Sequence, residues 1–129
     1  MKYAYLLSKA DDRGRCVLVE TETQEVDFRV MQKQINCSCI QIVQGTACRR
    51  PLLLVIDDEG KLRKKHVNIR ASILYGSFYD CIVGDALIGI QIWTEDGPDW
   101  GPLPLEEAEA LMDLVNNNLE DLERDMGKR

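Results

Sequence analysis

Residues 82–93 read I-V-G-D-A-L-I-G-I-Q-I-W, the longest apolar run in the chain. Ile88, Ile90 and Ile92 fall on one side of an extended backbone, and Leu87, Gln91 and Trp93 on the other. A period of two with β-branched enrichment predicts a central strand, apolar on one face and mixed on the other. Gly84 and Gly89 inside the run predict a bulge or a close backbone approach.

The rest of the pattern is arranged around that strand. Residues 3–7 and 16–20 are short β-prone runs on either side of the polar loop 9–15, which predicts a hairpin. Residues 25–28 are candidates for a third strand. Asp27 suits the N-cap of a short helix over 29–35, with Val30, Met31 and Ile35 at helical spacing. Residues 37–43 alternate as a strand, and 52–56 form a continuous apolar run typical of a buried one. The D-D-E-G of 57–60 predicts a hairpin turn, and 61–65 a returning edge strand guarded by lysines. Asn68 suits the N-cap of a second short helix that stops near Tyr75-Gly76. Residues 95–102, dense in Gly, Pro and Asp, predict a loop.

The last element has the clearest signature. Leu105, Ala108, Met112, Val115, Leu119, Leu122 and Met126 recur in steps of three and four, predicting a helix over about 103–126. Leu111 and Leu114 widen its apolar face at the start. Acids Glu106, Glu107 and Glu109 sit in its first turns, and bases Arg124, Lys128 and Arg129 at its end, which suits the helix dipole. Leu119, Leu122 and Met126 extend beyond what one domain covers, so an isologous homodimer through them is expected. The pattern as a whole predicts a single α+β domain over 1–129, a mainly antiparallel sheet packed by a long C-terminal helix and two short helices.

Composition narrows the function classes. An apolar fraction of 45% is ordinary for a globular domain. The net charge of -6 works against binding nucleic acid or an anionic membrane surface. No run approaches the roughly 20 residues that span a bilayer. The five apolar residues after Met1-Lys2 are too few for a signal peptide, so a cytoplasmic protein is expected. Its five cysteines are then expected as free thiols.

Candidate chemistry is sparse. Cys37, Cys39, Cys48 and His66 have no zinc-ligand spacing, and no metal or other cofactor is expected. His66, the only histidine, lies in the basic run Lys61, Arg63, Lys64, Lys65, which lacks a phosphate-cradling glycine motif. Asp80, Asp85, Glu95, Asp96 and Asp99 gather in sequence around the central strand, as acids used in acid–base or metal work do; turn chemistry accounts for Asp96 and Asp99 as well. Trp93 and Trp100 suit either anchoring or ligand stacking.

The segments N-C-S-C-I-Q-I-V, L-L-L-V-I-D-D-E-G-K-L, N-I-R-A-S-I-L-Y-G and D-C-I-V-G-D-A-L-I-G carry a resemblance. Together they resemble a small domain-of-unknown-function family frequent in phages, prophages and conjugative elements of Gram-positive bacteria. The resemblance covers about 25–115. It rests on the turn Asp58-Glu59-Gly60-Lys61-Leu62, on Asn68 and on Gly84. Two features depart from it: Lys64-Lys65-His66-Val67 replaces a Pro-rich approach to the asparagine, and the tail after Val115 is an addition. The resemblance implies a mobile-element accessory protein without a cofactor.

The expected function is therefore a non-enzymatic binding protein that engages a host factor or a small ligand. Asn68, Arg70, Tyr75, Asp80 and Asp85 are its candidate binding residues, because they flank the family-like segments. Two rivals stand beside it. One is a small hydrolase or nuclease using the acids near the central strand, which requires Asp80, Asp85 and another acid in one cleft. The other is an acidic decoy mimicking DNA, which requires carboxylates in a stripe.

Overall fold

A computed structural model describes residues 2–10, 15–46, 51–77 and 80–117. In chain order the elements are β1 (Tyr3–Ser8), β2 (Cys16–Thr21), α1 (Phe28–Gln34), β3 (Ile40–Gly45), β4 (Leu52–Asp57), α2 (Ile69–Tyr75), β5 (Ala86–Thr94), β6 (Gly97–Gly101), β7 (Leu103–Pro104) and α3 (Leu105–Asn117). All strands join one antiparallel sheet of order β2-β1-β5-β4-β3, with β6 paired to β5 and β7 to β1. The fold class is thus the expected α+β, with a C-terminal helix and two short ones.

The period of two in β5 divides two cores. Ile88, Ile90 and Ile92 face a cluster with Leu6, Leu54, Leu74, Leu103, Ala108 and Val115, where α2 and α3 cover the sheet. Leu87 faces the opposite cluster with Tyr5, Val55, Met31, Ile35 and Trp100, covered by α1. Each fully buried Leu or Ile stabilises the fold by roughly 1.5–3 kcal/mol. Further along β5 the second face opens to water: Gln91 is exposed and Trp93 is 75% exposed. Along α3, Ala108 and Val115 are buried and Leu111 and Met112 pack beside them, while Leu114 faces solvent. The seam is therefore narrower than the sequence pattern implies. The seam residues Leu119, Leu122 and Met126, and the dimer contact expected of them, lie outside the described residues.

Both short helices start where their caps predict. The Asp27 carboxylate accepts from the Arg29 N–H at 2.8 Å, and the Asn68 amide oxygen from the Ala71 N–H at 3.0 Å. Gly76 closes α2 in the left-handed conformation.

Four expectations change. Residues 25–28 form no strand, because Asp27 is spent on the helix that follows. Residues 61–65 coil into turns instead of returning as an edge, with Arg63 N–H bonded to Glu59 O and Lys65 N–H to Gly60 O. The cause is Asp57, whose buried carboxylate draws Lys65 back; a straight return strand would carry that lysine away. The central strand starts at Ala86 rather than Ile82, because Gly84 is left-handed (φ 86°) and breaks the extended run. Finally, the expected loop 95–102 contains β6. Its Trp100 ring lies across Gly89, where a Cβ would come within 2.5 Å of the indole. The indole N–H of Trp100 donates to Leu53 O at 2.8 Å, and its ring meets Tyr5 edge-on at 5.3 Å.

Candidate functional site

The strand break at Gly84 has a consequence on the surface. Gly84 and Asp85 turn away from β5 beside Lys9 and Ala10 at the end of β1. Ile35 and Asn36 after α1, and Lys65 and His66 before α2, close the other sides. The result is an open groove of about 390 Å³. Four separate segments meet in it, and two of its residues, Asn36 (φ 51°) and Gly84 (φ 86°), hold left-handed backbone. Lys64, next to the groove, is a third (φ 55°). For Asn and Lys that conformation costs energy and persists only when the surroundings enforce it, a condition that gathers at functional sites.

What enforces it is a buried ion pair. The Asp57 carboxylate is 1% exposed and sits 2.6 Å from the Lys65 ammonium, with the Arg63 guanidinium 3.8 Å away. Its other oxygen accepts from the Glu59 N–H at 2.9 Å. The same Lys65 ammonium donates to the carbonyl of Asn36 at 2.8 Å, which fixes the left-handed corner after α1. Burial by itself raises the Asp57 pKa. The bonds from Lys65 and Glu59, with the nearby charges of Lys65 and Arg63, outweigh it and hold the carboxyl below its ordinary value. The half-buried Cys37 lies near this pair; burial and the Asp57 charge push its thiol up, which keeps it protonated.

On the rim, Asp85 accepts from the Ala10 N–H at 2.9 Å, and its second oxygen faces the Lys9 ammonium at 3.6 Å. Both side chains are partly exposed, so that contact is loose and open to competition by a ligand. The exposed side chains of His66 and Asn36 make no hydrogen bond among the described residues. The groove thus presents an ammonium, a carboxylate, an imidazole and an amide over the apolar floor of Ile35. That set matches a small polar ligand bearing charges of both signs.

Of the residues expected to bind, only Asp85 lines the groove. Asn68 lies beneath it, fully buried, its amide donating to Ser8 O at 2.9 Å and to Gly84 O at 3.0 Å while its oxygen takes the Ser8 hydroxyl and the Ala71 N–H. It sets the ends of β1 and the Gly84 turn, and holds no free donor or acceptor for a ligand. Arg70, half-buried on α2, lies close enough to Cys16 for its charge to oppose the upward push of burial on that thiol. Tyr75 packs against the core at the end of α2, and its carbonyl takes the Thr46 N–H and hydroxyl. Asp80 is exposed and pairs with Lys61, away from the groove. Lys9 and Asn36 carried no sequence signal; Lys65 and His66 did, but as a solvated basic run.

The other acids do not join Asp85. Asp96 and Asp99 border a second cleft with Glu25 and Asp27, about 440 Å³ in volume. Asp27 there is a helix cap, and Asp99 accepts from the Trp100 N–H at 2.7 Å. Among the described residues no group of His, Cys, Asp or Glu is arranged to hold a metal ion. Cys16, Cys37, Cys39 and Cys81 are free thiols. No described helix is long and apolar enough to cross a membrane.

Residues 10–116 match the family described as a domain of unknown function, DUF3846. The chain belongs to that family. The matched span contains β2 to β7 and α3 up to its last residue, and with them nearly all of the groove; of the groove residues Lys9 alone falls just outside it. No curated protein matches the chain. Among solved structures, the small RNA methyltransferase HEN1 is similar over 84% of this chain, with a TM-score of 0.55 and 16% identity. The similarity covers only 15% of that longer chain, and at this identity it shows a shared fold alone.

Proposed function

We propose that this member of the family is a non-enzymatic binding protein of a phage or other mobile element. It acts in the cytoplasm and engages a small polar ligand, or an exposed side chain of a host factor, in the Lys9–Asn36–His66–Asp85 groove. The observation that carries this reading is the convergence of four chain segments, two with left-handed corners, on a groove whose Asn36 and His66 side chains are unspent. Lys65 and Asp57 beneath act as the support that holds the rim residues in place. The hydrolase reading needs Asp80 and Asp85 with a further acid in one cleft, and Asp80 instead pairs with Lys61 at a distance from Asp85's groove.

The test is a set of amide NMR spectra of the labelled protein, titrated with amino acids, nucleosides and nucleotides, then with fractionated host extract. Binding should move the amides of Ala10, Asn36, His66 and Asp85 together, and Asp85→Ala should abolish the shifts while leaving the remaining spectrum in place. Silence at those four amides with every probe would overturn the reading. Hydrolysis of a phosphodiester that is lost in Asp99→Asn would favour the enzyme instead.

A further inference from the structure

The charges on the groove decide what it can hold. Its described lining residues include two lysines, Lys9 and Lys65, and one acid, Asp85. Lys65 spends its ammonium inside the protein. It meets the Asp57 carboxylate at 2.6 Å, the Asn36 carbonyl at 2.8 Å and the Ile35 carbonyl at 3.4 Å. An ammonium has three hydrogens, so these partners use all of them, and Asp57 cancels the charge. One cation, Lys9, and one anion, Asp85, remain to meet a ligand.

These two stand side by side but are held differently. Asp85 is anchored, because one of its oxygens accepts from the Ala10 N–H at 2.9 Å. Its other oxygen stands 3.6 Å from the Lys9 ammonium, beyond hydrogen-bond length. With side chains 44% and 27% exposed, the pair is weak, and each member keeps hydrogen-bonding capacity for a ligand. The floor is apolar. The methylene stem of Lys65 passes over Gly84, its Cδ only 3.0 Å from where a Cβ would stand, and Ala10 and Ile35 continue the surface.

We propose, resting on the groove reading above, that its ligand is a free α-amino acid with an apolar side chain. The ligand's carboxylate lies against the Lys9 ammonium and its ammonium against the open oxygen of Asp85, so that charges alternate in sign along the rim. The unspent donors of Asn36 and His66 serve the second carboxylate oxygen, and the apolar side chain covers the floor. Charge balance selects this class. An α-amino acid carries both charges on groups bonded to one carbon, and the rim offers one charge of each sign side by side. A nucleotide would bring the extra negative charge of its phosphate beside Asp85, on a chain of net charge -6. A polyamine would find a single carboxylate, one oxygen of which is taken by Ala10, and a lysine that repels it.

The test is a titration of the labelled full chain, followed by amide NMR, with leucine, glycine, isoamylamine and 4-methylpentanoate. The last two are leucine without its carboxylate and leucine without its ammonium; adenosine and AMP are run in parallel. Leucine should move the amides of Ala10, Asn36, His66 and Asp85, and bind about tenfold or more tightly than glycine and either analogue. Lys9→Gln should weaken leucine about tenfold or more without weakening isoamylamine. Asp85→Asn keeps an acceptor for the Ala10 N–H; it should weaken leucine as much without weakening 4-methylpentanoate. Equal binding of leucine and either analogue would overturn the proposal, as would variants that weaken every ligand alike. Adenosine or AMP moving the groove amides while leucine does not would overturn the amino acid and leave the groove reading standing. Silence with every probe would overturn both. Should a variant unfold, the comparison of leucine with its analogues on the wild type decides.

Discussion

Asn68 uses every hydrogen bond its amide offers, and all of them go to the protein. Replacing it by alanine removes a helix cap and takes the Asn68 donor from the buried carbonyls of Ser8 and Gly84, of which Ser8 O keeps its ladder bond to β5. The expected cost is about 2 kcal/mol, from roughly 1 kcal/mol for the cap and about 1 for the Gly84 carbonyl. Urea titration of Asn68→Ala measures it, and Asn68→Asp should be nearly as damaging because a carboxylate cannot donate. Asp85→Ala, by contrast, loses one partly exposed bond and should cost under about 1 kcal/mol. Asp57 gives the fold a pH dependence of known sign. Its folded carboxyl titrates below the unfolded value of about 3.9, so its contribution is complete above roughly pH 4 and disappears as pH falls through the folded pKa. Asp57→Asn should therefore lower stability by about 2 kcal/mol at neutral pH, less than for a fully buried pair because Lys65 can swing to water. The gap to wild type should shrink as the pH drops below 4, as read from urea midpoints across that range.

At the scale of elements, the β5–β6 hairpin depends on one absent side chain. A Cβ at Gly89 would stand 2.4 Å from Gly101 O and 2.5 Å from the Trp100 ring. Gly89→Ala must move backbone as well as ring, and should cost about 1–3 kcal/mol with loss of the near-ultraviolet signal of the packed indole. This hairpin marks a boundary of what the sequence discloses. The strands β1, β2, β4 and β5 were legible because one or both of their faces are buried, which forces apolar periodicity. β6 reads G-P-D-W-G, a turn composition, and becomes a strand because Trp100 crosses Gly89 and bonds to Leu53 O. The coiling of 61–65 was illegible for a related reason: its cause is the side chain of Asp57, and charge runs have no period.

At the scale of the molecule, α3 fastens the sheet to itself. Asn116 holds Cys16 from 100 residues away in sequence, beside the buried Val115. Asn116→Ala should cost about 1–2 kcal/mol, since the open Cys16 groups regain only water. Faster amide exchange along β2 than along β4 in that variant would show that the loss is confined to this edge. Equal acceleration of both strands would mean that α3 stabilises the sheet only as a whole.

The sequence by itself determined the α+β class, both helix caps, the two-faced central strand and the amphipathic start of α3. These are local: each follows from periodicity or from a side chain bonding its own backbone. It also singled out Asp85, Lys65 and His66, although as unrelated residues. Only the tertiary structure decided that Asp85 meets His66, Asn36 and Lys9 in one groove while Asn68 lies buried beneath it and Asp80 stands elsewhere. The physical reason is the left-handed turn at Gly84 and the Lys65–Asp57 pair, contacts between segments far apart in the chain that no window of sequence contains.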